Sequence, residues 1–300
     1  MNHGLKTSLQ TIFQSNAARF MLAAWLASAL YLAASGRLAW LLPVSGMQAL
    51  ILLLTWPSVR LTHPLPPEAP PEAGSRALLA LQIAVLLLVA GITAFNAVDP
   101  TRIPLWSQMV AWLQALGERT LPVEWVGGPG NAVANPVQYF VIPLLLLLAL
   151  GARPHSLGFA RGHRSWRVCA LWTILPALTW LALLIAGQLP PMTLVRRLLG
   201  NTLQNGFFEE FLFRGALYTR LNRMLPGNWA LIVQALLFGI WHIGGNTRMM
   251  DGNLLPGLAA CIVSQTVFGL AAGILFQRTR NLLAPSVMHV LMNAFGQTFG

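Results

Sequence analysis

Acidic residues are scarce in this chain. There are eight in 300 residues, against nineteen lysines and arginines, for a formal net charge of +11. Cysteine is scarcer still: Cys169 and Cys261 each sit inside an apolar run, so a disulfide framework is not expected, and no Cys/His cluster has zinc-finger spacing. Neither a GxSxG nucleophile turn nor an HExxH helix occurs, which removes the usual signatures of serine hydrolases and zincins. No internal repeat is visible, which weakens any reading as a transporter built from matching halves. Charged residues of both signs make up 9% of the chain, where a soluble domain carries about 25%. The positive residues are scattered at the ends of apolar runs. That suits topology anchors and anionic lipid headgroups, so membrane lipid is an expected partner and nucleic acid is not.

Apolar residues fill the space instead: 56% of the chain is hydrophobic, with a mean hydropathy of +0.62. They fall in runs near the twenty-residue length that spans hydrocarbon. The expected fold class is an all-α, polytopic integral membrane protein. Candidate spans lie at about 18–35, 38–56, 77–96, 136–152, 168–188, 199–219, 229–245, 255–277 and 282–299. The count is nine, or eight if the second pairs with the first as a short hairpin. The first run follows Lys6 and Arg19 and reads as a retained signal anchor. Residues 63–72 (HPLPPEAPPE) form a proline-rich, extended connector. The stretch 97–135, with Trp106, Trp112 and Trp125, reads as interfacial rather than spanning. Arginines crowd three connections: Arg153, Arg161, Arg164 and Arg167; Arg220 and Arg223; Arg278 and Arg280. With nine spans these share a side with Lys6, which puts the N-terminus in the cytoplasm; Arg196 and Arg197 fall on the opposite side.

Six of the eight acids lie in connections. Glu209 and Glu210 do not: they stand in Gly206-Phe-Phe-Glu-Glu-Phe-Leu-Phe-Arg-Gly215, inside an expected span. An ionisable group at membrane depth costs about 2.5–3.5 kcal/mol on insertion scales, so it is a functional candidate. Glu210 and Arg214, four apart on a helix, are placed to pair; a buried ion pair that only fixes packing is the plain structural account of those two. Glu209 points about 100° away, with no local cation, which suits a proton acceptor. The next expected span carries Gln234, Phe238 and His242 on one face; the last carries Ser286, His289, Asn293 and Gln297. A lone histidine in an apolar helix is usually a packing residue. Two histidines and an amide beside a lone membrane carboxylate are a different matter. Together they can support hydrolysis: a carboxylate takes a proton from water, a histidine relays it, and a histidine and an amide donate to a developing oxyanion. Zinc is the lesser alternative, since His and Glu are both ligands.

Glu209-Glu210-x-x-x-Arg214, Phe238-x-x-x-His242 and His289-x-x-x-Asn293, in that order, resemble the three motifs of the CPBP family: the CAAX prenyl proteases and bacteriocin-processing (Abi) intramembrane proteases, related to the Ras-converting CAAX endopeptidase. Leu157-Gly158-Phe159-Ala160-Arg161 loosely resembles a segment that precedes the core in bacterial members. The resemblance implies that Glu209 activates the hydrolytic water, that His242 is its partner, and that His289 and Asn293 bind water and oxyanion. Glu210, Arg214 and Phe238 take supporting positions. It implies no cofactor, a glutamate-type mechanism in preference to a metal, a protein or peptide substrate, and residence in a bacterial inner (plasma) membrane. The expected division is an N-terminal transmembrane region, 1–152, of unassigned role and a protease core, 153–300, whose motifs lie within about 199–298. The expected bond is a peptide bond near the membrane surface, close to the C-terminus of an anchored, lipidated or CAAX-like protein or peptide. Two rivals remain: a non-catalytic bacteriocin-immunity or peptide-binding protein, and a proton-coupled transporter using the same residues as a relay. Phe207, Phe208, Phe211, Phe238 and Trp241 either wall a cavity for an apolar tail or face lipid.

Overall fold

A computed structural model describes residues 15–62 and 73–299, with side chains described from Arg76 in the second stretch. The expected proline-rich connector lies outside the described residues. Every regular element is helical; no strand occurs among the described residues. Helices satisfy their own backbone groups, the condition for crossing hydrocarbon. In chain order, apart from single helical turns at Val123–Val126 and Pro154–Leu157, they are α1 (Asn16–Ala34), α2 (Leu38–Leu61), α3 (Ala73–Val98), α4 (Pro104–Thr120) and α5 (Pro129–Ala149, with a wide π turn at Val137–Val141). There follow α6 (Ser165–Ile185) and α7 (Pro191–Asn201), then a wide turn (Thr202–Gly206), α8 (Phe207–Glu210), a second wide turn (Phe211–Tyr218) and α9 (Thr219–Met224). The chain ends with α10 (Trp229–Trp241), α11 (Ile243–Met249), α12 (Leu254–Val263), α13 (Gln265–Thr279) and α14 (Leu283–Phe299).

Six helices among the described residues are long and apolar enough to cross a membrane, or seven if the bent pair α10 and α11 makes one crossing. The chain is thus an all-α, multi-pass membrane protein. The eight or nine spans read from the apolar runs are not reached on this count, for a physical reason. The expected span 199–219 holds Glu209, Glu210 and Arg214 and is interrupted by both wide turns. The expected span 282–299 is α14, 17 residues long and marked by Ser286, His289, Asn293 and Gln297. The polar residues that make these helices candidates for chemistry keep them out of the apolar set. The expected span 229–245 also differs: the helix breaks at His242, and α10 and α11 meet at 51°.

The α12–α13 segment is the central post. Of its most apolar window 61% is buried inside the protein, against 22–28% for the other five candidate spans. Small residues on α13 let neighbours close in: an added Cβ at Gly269 would meet the Phe238 ring at 3.0 Å, and one at Gly273 would meet Leu231 at 2.6 Å. The N-terminal helices dock onto this post and its neighbours by hydrogen bonds. The Trp25 indole donates to the Val263 carbonyl (3.3 Å), and Arg278 donates to the carbonyl of Val59 (2.7 Å) and the hydroxyl of Thr62 (3.1 Å). Trp172 donates to Ser58 (2.9 Å) and Trp241 to Thr93 (2.7 Å). The segment 157–163 is tied to the α13–α14 turn, where the Asn281 amide donates to Ala160 O (2.6 Å) and Leu282 N to Gly158 O (3.2 Å).

The second wide turn lies against that same segment. A Cβ on Gly215 would come within 2.5 Å of the backbone oxygen of Leu157. Gly215→Ala is therefore expected to destabilise by about 1–3 kcal/mol, because a backbone atom must yield to the added methyl. Thermal unfolding in detergent reads this directly, and an unchanged midpoint would show that the turn is looser than its packing.

The two ends of the bundle differ in charge. Arg60, Arg76, Arg153, Arg161, Arg164, Arg167, Arg220, Arg223, Arg278 and Arg280 gather at one end, where no aspartate or glutamate lies among the described residues. At the other end Arg37 pairs with Asp251 and Arg102 with Asp99.

Candidate active site

Glu209 and Glu210 are the whole second half of a single α turn between two wide turns. A wide turn carries an extra residue per turn, so the stripes expected at a constant helical period are rotated locally; such turns are frequent at functional sites. Both carboxylates are buried, Glu209 at 5% exposure and Glu210 at 0%. They point to different partners. Arg214 Nη1 donates to Glu210 Oε1 at 3.0 Å, with neither side chain exposed, as the four-residue spacing anticipates. The guanidinium also donates through Nη2 to the Gly269 carbonyl (3.1 Å), and its carbon sits 4.3 Å from the centre of the Phe238 ring. Gln234 donates to the same carbonyl (3.0 Å), which locks α10 and α13 around the pair.

His289, 3% exposed on α14, connects the two glutamates. Its Nδ1 lies 2.8 Å from Glu210 Oε1 and its Nε2 lies 3.8 Å from Glu209 Oε2. Glu210 paired with Arg214 is an acceptor, so His289 Nδ1 is the donor and Nε2 turns to Glu209. His242 repeats the arrangement from the break between α10 and α11. Its Nδ1 lies 2.9 Å from the Phe238 carbonyl, which can only accept, so Nδ1 carries the proton. Its Nε2 faces Glu209 Oε2 at 3.7 Å. Two imidazole Nε2 atoms thus converge on one carboxylate oxygen. Both distances are too long for a direct hydrogen bond and suit a bridging water. Glu209 Oε2 has no hydrogen-bond partner within the described residues.

Glu209 lines a cavity of about 360 Å³ together with His242, His289, Asn293 and Phe238, so that the four sequence candidates for catalysis share one space. Glu210 and Arg214 stand behind it. The sequence reading missed several lining residues: Asn205, Ser264, Gln265 and Phe268, and, from α2, Gln48. Gln48 is 6% exposed and its Oε1 has no partner among the described residues. A signal for it existed. Gln48, Thr55 and Ser58 of this largely apolar helix and Thr62, which caps it, are buried at spacings of seven, three and four, a polar stripe that had to face something. The aromatic wall needs correction. Only Phe238 of the five expected residues lines the cavity. Phe207, Phe208 and Phe211 meet Phe140 at tilted or edge-on angles, while Trp241 packs on Phe213 and Tyr139. These rings do not line the cavity: Phe211 is buried in the core, while Phe207, Phe208 and Trp241 are half-buried at its edge.

Both histidines direct Nε2 inward with Nδ1 tied back, the posture histidines take at metals. Among the described residues, however, no three His, Cys, Asp or Glu side chains are grouped to hold a metal ion. Cys169 and Cys261 are free thiols away from the site.

A family described as Rce1-like, type II CAAX prenyl endopeptidase Rce1-like, matches residues 176–295, a segment that holds all seven sequence-selected positions from Glu209 to Asn293. Over this segment the chain is similar to the CAAX prenyl protease family. No curated protein and no solved structure matches the chain. The Rce1-like segment runs from the middle of α6 to the last turns of α14 and so contains the central post, both wide turns and the broken α10–α11 helix. Gln48 lies outside it, on α2.

Proposed function

We propose that this protein is an intramembrane endopeptidase of the glutamate type, cutting a peptide bond near the membrane surface and close to the C-terminus of an anchored, lipidated or CAAX-like protein or peptide. The observation that carries this is the buried, unpartnered Oε2 of Glu209 between two inward-facing imidazoles in a cavity. Water in that cavity gives a proton to Glu209 Oε2 while its oxygen adds to the carbonyl carbon. The resulting oxyanion accepts a hydrogen bond from Asn293, with His289 beside it in the orientation that Glu210 and Arg214 hold. Glu209 then returns the proton to the amide nitrogen as the C–N bond breaks; His242 Nε2 helps to hold the attacking water beside the carboxylate beforehand. In this reading the region 1–152 closes the cavity with Gln48, the region 153–300 supplies the chemistry, and no metal takes part. The arginine-rich end faces the cytoplasm of a bacterial inner membrane, by the positive-inside rule.

The test is cleavage by the purified full chain in liposomes. It uses a library of C-terminally anchored peptides with and without a lipid group, and runs each with and without a metal chelator. A defined cleavage product that persists with chelator supports the proposal. Loss with chelator and recovery with zinc would replace the water-only mechanism by a metal one. No product from any peptide, from protein shown to be folded, would sink the endopeptidase and favour peptide binding.

Gln48 offers a narrower check. Gln48→Leu keeps the volume and removes the amide, so the thermal midpoint should hold or rise. Turnover should fall about tenfold, the equivalent of one or two lost neutral hydrogen bonds. Unchanged turnover would mean that Gln48 only fills space.

A further inference from the structure

At the arginine-rich end a second cavity, of about 640 Å³, shares no lining residue with the one at Glu209. Arg153, Arg220, Arg223 and Arg280 line it, with His155 beside them. They arrive from three separate places: the connection after α5, helix α9, and the residue that caps α13. Arg280 takes a left-handed backbone there (φ 53°), its N–H closing on the Phe276 carbonyl at 2.7 Å. Arg220 is built into the floor at 3% exposure. It donates to Gln82 Oε1 (3.1 Å), the Ser156 carbonyl (3.0 Å) and Thr219 Oγ1 (2.8 Å). Among the described residues no aspartate or glutamate lines the cavity.

The wall also carries the polar side chains of Gln82, Ser156 and Thr219, and an apolar strip. Leu78, Leu79 and Phe276 face the arginines, and Leu78 is 41% exposed two residues into the candidate span Arg76–Val98. The cavity therefore combines guanidinium groups with apolar side chains beside the start of a candidate span, as a headgroup and its acyl chain would need. Guanidinium forks match phosphate oxygens in pairs, and basic pockets between membrane helices hold anionic headgroups. We propose that this cavity is a binding site for a phosphate group, carried by an anionic phospholipid whose acyl chain lies along Leu78. It goes beyond the protease reading and stands without it.

The test compares thermal unfolding of the full chain in nanodiscs of phosphatidylcholine, the same nanodiscs doped with phosphatidylglycerol, and phosphatidylcholine nanodiscs with inorganic phosphate. Native mass spectrometry counts the retained lipid. Phosphatidylglycerol is expected to raise the wild-type midpoint. Arg153→Gln with Arg223→Gln should lose most of that shift and retain about tenfold less lipid. Arg161→Gln with Arg167→Gln removes the same charge from the same end, at exposed arginines outside the cavity, and should keep both. If inorganic phosphate alone matches the lipid, the anion site stands and its source is soluble phosphate. Equal losses in the two double variants would overturn the site in favour of diffuse attraction, as would no response to either anion. The single variant Arg223→Gln keeps the comparison open should the double variant fail to fold in phosphatidylcholine.

Discussion

Glu209→Gln is expected to lower turnover at least a hundredfold, the lower end of what a positioned proton acceptor contributes, about 10²–10⁴. The substitution changes almost no volume and keeps a polar head between His242 and His289, so the cavity and the fold should survive. What disappears is the ability to take a proton from water. The size of the effect follows from the geometry. Oε2 of Glu209 is buried, has no partner within the described residues, and is approached by both Nε2 atoms at 3.7 and 3.8 Å. Among the described residues no other carboxylate lines the cavity to replace it, since Glu210 is turned to Arg214 and His289. The measurement is turnover of a peptide that the wild type cuts, with the thermal midpoint as a check on folding. Activity within tenfold of wild type in folded protein would remove Glu209 from the role of base.

Arg214→Met should act on stability instead, at about 3–5 kcal/mol, the range for breaking one partner of a buried ion pair. Both side chains are fully buried, and the guanidinium holds three things at once: Glu210, the Gly269 carbonyl and the face of Phe238. Removing it leaves Glu210 facing only the His289 N–H and turns an ion-paired carboxylate into an uncompensated one. The double variant Glu210→Gln with Arg214→Met should recover part of the loss, because the isolated charge goes with the arginine. Unfolding of detergent-solubilised protein measures both. A single variant within about 1 kcal/mol of wild type would mean that water reaches Glu210 and that the pair is not the pin it resembles.

How much of this was legible in the residues depends on how local the signal was. The pairing of Glu210 with Arg214 could be read from a four-residue spacing, and it holds even though the second is in a wide turn. The gathering of Glu209, His242, His289 and Asn293 was legible only through an ordered set of motifs on successive helices. The wide turns were not legible. Phe211–Tyr218 contains no proline to break the hydrogen-bond ladder, and what accompanies the extra residue is a long-range contact, Gly215 against the backbone of Leu157. The break at His242 was hidden for a similar reason, since nothing in Phe238-Gly-Ile-Trp-His242 forces a 51° bend. Aromatic residues misled because a phenylalanine beside a glutamate looks the same whether it faces core or cavity. The span count fell short because hydropathy cannot credit a helix whose polar residues are its purpose.

The docking of α2 onto α6 and α13 has a consequence for modularity. Ile51 is buried against Trp172, Ala271 and Leu275, Ser58 accepts from Trp172, and the end of α2 accepts from Arg278. The seam therefore runs through the protein rather than between an enzyme and an appendage. A fragment reduced to residues 176–295 would expose the flank of its own central helix and leave the cavity open where Gln48 now closes it. The unit that can be moved between proteins, or lost from one, is larger than the stretch by which its kin are recognised.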